Sequence, residues 1–144
     1  MALSFSDAVK KFANSPKAIE AIHKTSLEKL DRELTRTKAE GGSVPVDTGN
    51  LYRSLVASTS GMPTTSVTRS SGSNVTAVIA QLRPNQSIWL GYTATYARRM
   101  NFGFVGADSL GRVYNQQGNY FVERAIAMWP QLVDEAIKEV TSGN

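Results

Sequence analysis

The chain has 144 residues, 41% of them hydrophobic, with no cysteine, one histidine and a formal net charge of +4. That length predicts a single domain, residues 1–144, with a core that needs no staple; the composition excludes a disulfide scaffold, a thiolate zinc site, a cysteine nucleophile and a cluster of histidine ligands. Between Gly41 and Tyr120 the charged residues are Arg53, Arg69, Arg83, Arg98, Arg99 and Arg112 against Asp47 and Asp108, so the excess charge is an all-arginine block between two neutral flanks.

No apolar run approaches the roughly 18 residues of a membrane span. The start, MALSFSDAVKKF, lacks the basic segment and apolar block of a secretory signal. Synthesis in the cytoplasm, with no membrane partner, is the expectation. A short helical turn capped by Ser6 or Asp7 is expected first. Ser15-Pro16 then supplies a hydroxyl cap and a proline at the first helical position. Ile19, Ile22, Leu27, Leu30 and Leu34 recur at helical spacing, with Glu20–Lys24 and Glu28–Arg32 as i,i+4 pairs. Gly41-Gly42 is the expected stop.

Leu55 to Ser58 reads as a strand. Residues 58–73, dominated by Ser and Thr, read as a mobile loop or hairpin tip. The β-branched run Asn74 to Leu82 reads as a second strand, Arg83 to Gln86 as a turn, and Ser87 to Thr93 as a third strand. Tyr96 to Asn101 suits one or two helical turns, and Val105 to Gly118 a second loop. A C-terminal helix is expected from Asn119, with Phe121, Ala125, Trp129, Leu132, Ala136 and Val140 on one face. Pro130 should kink or split it. The order predicts an α+β fold: an antiparallel sheet with a long N-terminal helix and a C-terminal helix packed on it, plus long mobile loops.

Asp47-Thr48-Gly49 matches the loop of aspartic proteases, in which two carboxylates share a proton and a homodimer supplies both. Its context, after Gly41-Gly42-Ser43-Val44-Pro45 and not after an apolar strand, favours a structural role. In that role Asp47 or Thr48 caps a short helix over residues 49–55. His23, on the first long helix, has no Ser or Asp partner fixed by spacing. No phosphate-binding glycine motif is present. Arg98-Arg99, beside Tyr92, Tyr96, Phe102 and Phe104, fits contact with phosphate or an acidic protein surface. It equally fits an amphipathic turn with solvated arginines. A small non-specific nucleic-acid-binding protein is therefore a second alternative to the homodimeric aspartic protease.

Three stretches, VPVDTGNLYRSL (44–55), YTATYARRMNFGF (92–104) and GNYFVERAIAMWPQLVDEAIKEV (118–140), together resemble the neck and tail-completion proteins of tailed bacteriophages. That family often has an acidic residue where this chain has Asn101. The resemblance implies a non-catalytic structural virion protein with no cofactor, forming a ring at the head–tail junction through which DNA passes. Six copies are expected, with twelve as the alternative. The expected partners are further copies, the adjacent connector and tail proteins, and genomic DNA in the lumen. Asp47, Thr48, Gly49 and Leu51 are expected to fix the turn between helix and sheet. Tyr92, Tyr96, Phe102 and Phe104 are the expected subunit contacts. Arg83, Arg98, Arg99 and Arg112 would face the lumen or acidic partners.

Overall fold

In the computed structural model, which describes residues 15–46, 49–64 and 72–142, the helix expected after Ser15-Pro16 forms as α1 (Pro16–Thr35). Ser15 Oγ accepts the Ala18 amide at 3.1 Å. The helix ends before Gly41-Gly42 because a tight local turn claims the next residues. Thr37 bridges to Val44, and Lys38–Glu40 makes one 3₁₀ turn closed by Gly41 in the left-handed region. The Glu40 carboxylate accepts hydrogen bonds from the Thr37 hydroxyl and amide, at 2.8 and 3.1 Å. These bonds hold its carboxyl below the ordinary range. Of the expected helix-surface pairs, Glu20–Lys24 forms at 3.1 Å. Glu28 and Arg32 do not pair; the neighbouring Lys29 instead reaches Glu139 at 2.7 Å on the last helix.

After α1 come α2 (Asn50–Arg53), β1 (Leu55–Ser58), α3 (Val75–Ala80), β2 (Trp89–Tyr92), α4 (Ala97–Phe102), β3 (Gly103–Ala107), β4 (Val113–Gln117), α5 (Phe121–Ala127) and α6 (Trp129–Ser142). The architecture is α+β, with the long N-terminal and C-terminal helices the composition of the flanks predicts. β1 and β2 pair antiparallel, Leu55 opposite Tyr92 and Ser58 opposite Trp89. β3 and β4 form a second antiparallel pair, Gly103 opposite Gln117 and Ala107 opposite Val113. There are thus two small sheets among the described residues where one was expected.

Two segments depart from the sequence reading. The segment 74–82 folds around helix α3 (Val75–Ala80) and is not a strand. Val75, Val78, Ile79 and Leu82 recur at i, i+3, i+4 and i+7, and Val75, Ile79 and Leu82 are buried. The Asn74 side chain occupies the edge where a third strand would pair. Its Oδ1 accepts the Ala57 amide at 2.7 Å and its Nδ2 donates to the Ala57 carbonyl at 3.0 Å. The second departure is residues 105–118, expected as a loop, which supply most of the β3–β4 hairpin. Asp108 organises its turn by accepting the Leu110 and Arg112 amides, each at 2.9 Å, and the Arg112 guanidinium at 2.6 Å. The predicted short helical turn near Ser6 and Asp7 lies outside the described residues.

Pro130 splits the C-terminal helix, with α5 ending just before Met128 and α6 starting at Trp129. α1 packs along α6 and also against α3 and α5. One core cluster joins Leu27 and Leu34 of α1 to Leu55 and Ala57 of β1, Val75 and Ile79 of α3, Leu82 and Ala125. A second holds Val44, Leu51, Ala94, Ala97 and Phe121.

Candidate functional site

The second cluster is built wholly from the three stretches singled out in the sequence. Val44 and Leu51 come from the first, Ala94 and Ala97 from the second, and Phe121 from the third. Tyr52, Tyr92, Tyr96, Met100 and Val122 pack around it. Gly49, at φ +80, precedes α2 in a left-handed conformation that a side chain would strain. The turn it makes delivers Leu51 to the cluster, where Leu51 is buried. Asp47 and Thr48, expected to cap this turn, lie outside the described residues.

The link between the second and third stretches is Asn101. Its Oδ1 accepts the Val122 amide at 3.1 Å, one of the free donors at the start of α5. Its amide nitrogen donates to both Glu123 carboxylate oxygens, at 2.8 and 3.0 Å. Its own carbonyl accepts the Tyr120 amide at 2.9 Å, beside Tyr120 held at φ +51. α5 is therefore capped by a residue some twenty positions away, and the expected cap, Asn119, is turned elsewhere: its amide nitrogen donates to the Met100 carbonyl at 2.8 Å.

The four expected contact aromatics divide into two pairs. Tyr92 points inward: its ring meets Phe121 edge-on at 5.1 Å, and its hydroxyl donates to the Leu34 carbonyl at the end of α1, at 2.5 Å. Burial, with the Asp31 carboxylate nearby, pushes that hydroxyl's pKa well up. Tyr96 is half-buried beside the cluster, its hydroxyl accepting from Asn50 at 3.3 Å. Phe102 and Phe104 lie instead at the surface side of the hairpin base. Arg98 sits 5.3 Å over the Phe102 ring and Arg99 4.1 Å over Phe104. Tyr120 and Tyr114 flank those rings at 6.5 and 6.0 Å. The result is an exposed arginine–aromatic surface. Arg83 lies apart from α4, in the turn before β2, and Arg112 is at the hairpin tip, paired with Asp108.

Two further features were not marked by any motif. The hairpin leaves Val105, Leu110 and Val113 at 77, 75 and 83% exposure. On another face, a groove of about 780 Å³ is lined by Leu30, Leu34, Ile88, Leu90, Ile126 and Trp129, among others, and its lining carries no lysine, arginine or carboxylate. Near this region Asp31 interrupts the apolar stripe of α1. One of its carboxylate oxygens is buried with no hydrogen-bond partner, and burial, opposed by Arg32, raises its pKa.

Among the described residues no three His, Asp or Glu side chains are grouped to hold a metal ion, and no helix is long and apolar enough to cross a membrane. Compared with protein family models, curated proteins and solved structures, the chain matches none.

Proposed function

We propose that this chain is a structural virion protein of a tailed bacteriophage, a subunit of a ring at the head–tail junction through which DNA passes. The observation that carries the reading is the convergence of the three stretches into one hydrophobic cluster. An ordered motif set that encodes a scaffold has to do this: its side chains are spent on a turn, a cap and a core. The projecting hairpin, with its exposed apolar residues, adds the kind of surface a repeating assembly buries.

In this reading the chain is no enzyme and carries no cofactor. Six copies form the ring, with twelve as the alternative, and the adjoining connector and tail proteins are its neighbours. The arginine–aromatic surface of Arg98, Arg99, Phe102 and Phe104, with Arg83 and Arg112, meets phosphate in the lumen or acidic side chains of those neighbours. The protein is made in the host cytoplasm and ends in the virion.

Gold labelling of an epitope-tagged chain in purified virions tests this directly. Label is expected at the junction of head and tail. Label on the capsid faces, at the tail tip, or absent from intact virions contradicts the proposal.

A further inference from the structure

We propose that the outer edge of β2, with the apolar groove beside it, receives the β3–β4 hairpin of a second copy of this chain. The inference deepens the ring reading and rests on it for the number of copies.

The edge follows from the register. Ala57 stands opposite Leu90. Asn74 holds both backbone groups of Ala57 on the side away from β2. The Ala57–Leu90 pair is therefore a non-hydrogen-bonded one, and the Leu90 amide and carbonyl point outward from the sheet. The Thr93 amide, donating to the Ser54 carbonyl at 2.9 Å, fixes the same alternation. No described residue bonds that outward side of Leu90. Among the described residues, the outer edge of β1 is closed by the Asn74 side chain, whereas the outward groups of Leu90 on β2 are bonded by none and lie beside the apolar groove.

The hairpin offers the matching surface. Ala107 is opposite Val113, and Val105 shares their face by the two-residue alternation, with Leu110 at the turn. Phe104 and Tyr114 occupy the other face, against Arg99. The charges at the tip, Asp108 and Arg112, pair with each other. Apart from its own pairing, the hairpin's principal contact is α4.

Charge and hydrogen bonding together select this occupant. A charged segment would bring its charge to a lining that itself holds no lysine, arginine or carboxylate. An apolar helix would leave the outward groups of β2 unpaired. A strand whose face is uncharged, apolar at Val105, Ala107 and Val113 with neutral Asn115 and Gln117 beside them, satisfies both requirements, as in strand addition to a sheet edge. The hairpin and the groove are different patches, so the contact is head-to-tail, and repetition closes a ring or runs on as a filament.

Two variants test it, Val113→Asp on the hairpin and Ile126→Asp at the groove, with Leu110→Asp as a second hairpin variant and circular dichroism to confirm folding. Native mass measurement should show wild-type oligomers and each variant alone as a monomer. An equimolar mixture of the two should give a 1:1 dimer and nothing larger, because it contains one working hairpin and one working groove. A wild-type chain that stays monomeric at millimolar concentration overturns the inference, as do variants that assemble like wild type or a mixture that stays monomeric. Rings that persist in both variants overturn the docking and leave the ring reading standing. A 1:1 dimer from the mixture, with wild type running as open filaments, upholds the docking and counts against the ring.

Discussion

Asn101 is the residue on which the packing of two elements turns. It caps α5 from the far side of the hairpin and holds Glu123 with the same amide. Asn101→Ala should cost about 1–2 kcal/mol, the usual loss for a helix cap, read by urea unfolding. Asn101→Asp sets a second carboxylate against Glu123. It should destabilise at neutral pH and recover as pH falls through the ordinary carboxylate range, because the crowded pair binds protons more readily folded than unfolded. Tyr92→Phe removes the donor on the Leu34 carbonyl at the end of α1, and a loss of about 1–2 kcal/mol is expected by the same measurement. Asp31 works against stability. Its folded pKa is raised, so the folded chain binds the proton more tightly, and stability falls as pH rises above the ordinary carboxylate value. Asp31→Asn should raise the thermal midpoint at neutral pH, with the gain vanishing in acid. Little of this was legible residue by residue. The Ser15 cap was, because its partners are three residues away. The caps made by Asn101 and Asn74 span about twenty positions, and no local pattern announces them.

At the scale of elements, the readings that held are those whose own sequence sets the geometry: α1 after Ser15-Pro16, the break before Pro130, β1, β2, and the turn at Arg83 to Gln86. α3 shows what propensity alone misses. Its Val and Ile content suggested a strand, yet the apolar spacing is helical, and Asn74 had already closed the strand edge beside it. Asn74→Ala should therefore expose the Ala57 amide and carbonyl and cost about 1–3 kcal/mol, and the β1–β2 amides should lose hydrogen-exchange protection. The hairpin was missed for the opposite reason. Every residue of β4 is exposed, so no buried face gives the segment an alternating pattern to read. Its base is nonetheless built tightly. Gly103 sits at φ +86, where an added Cβ would come within 2.5 Å of the Gln116 carbonyl oxygen. The strands are held by the turn and this close base, with little help from a core.

For the whole molecule, the α+β class agrees with what the order of the predicted elements implied. The arginine block is not one patch: Arg98 and Arg99 join aromatic rings on α4, while Arg83 and Arg112 stand on separate turns. The candidate site is correspondingly a set of surfaces, with a core made by the three family-like stretches beneath them. The proposal that these surfaces serve a closed assembly is tested most directly by negative-stain class averages of the purified chain across a concentration series. The account predicts closed rings of one symmetry, six-fold or twelve-fold. Particles that remain single subunits at the highest concentration, or that grow as open filaments without closing, would contradict it.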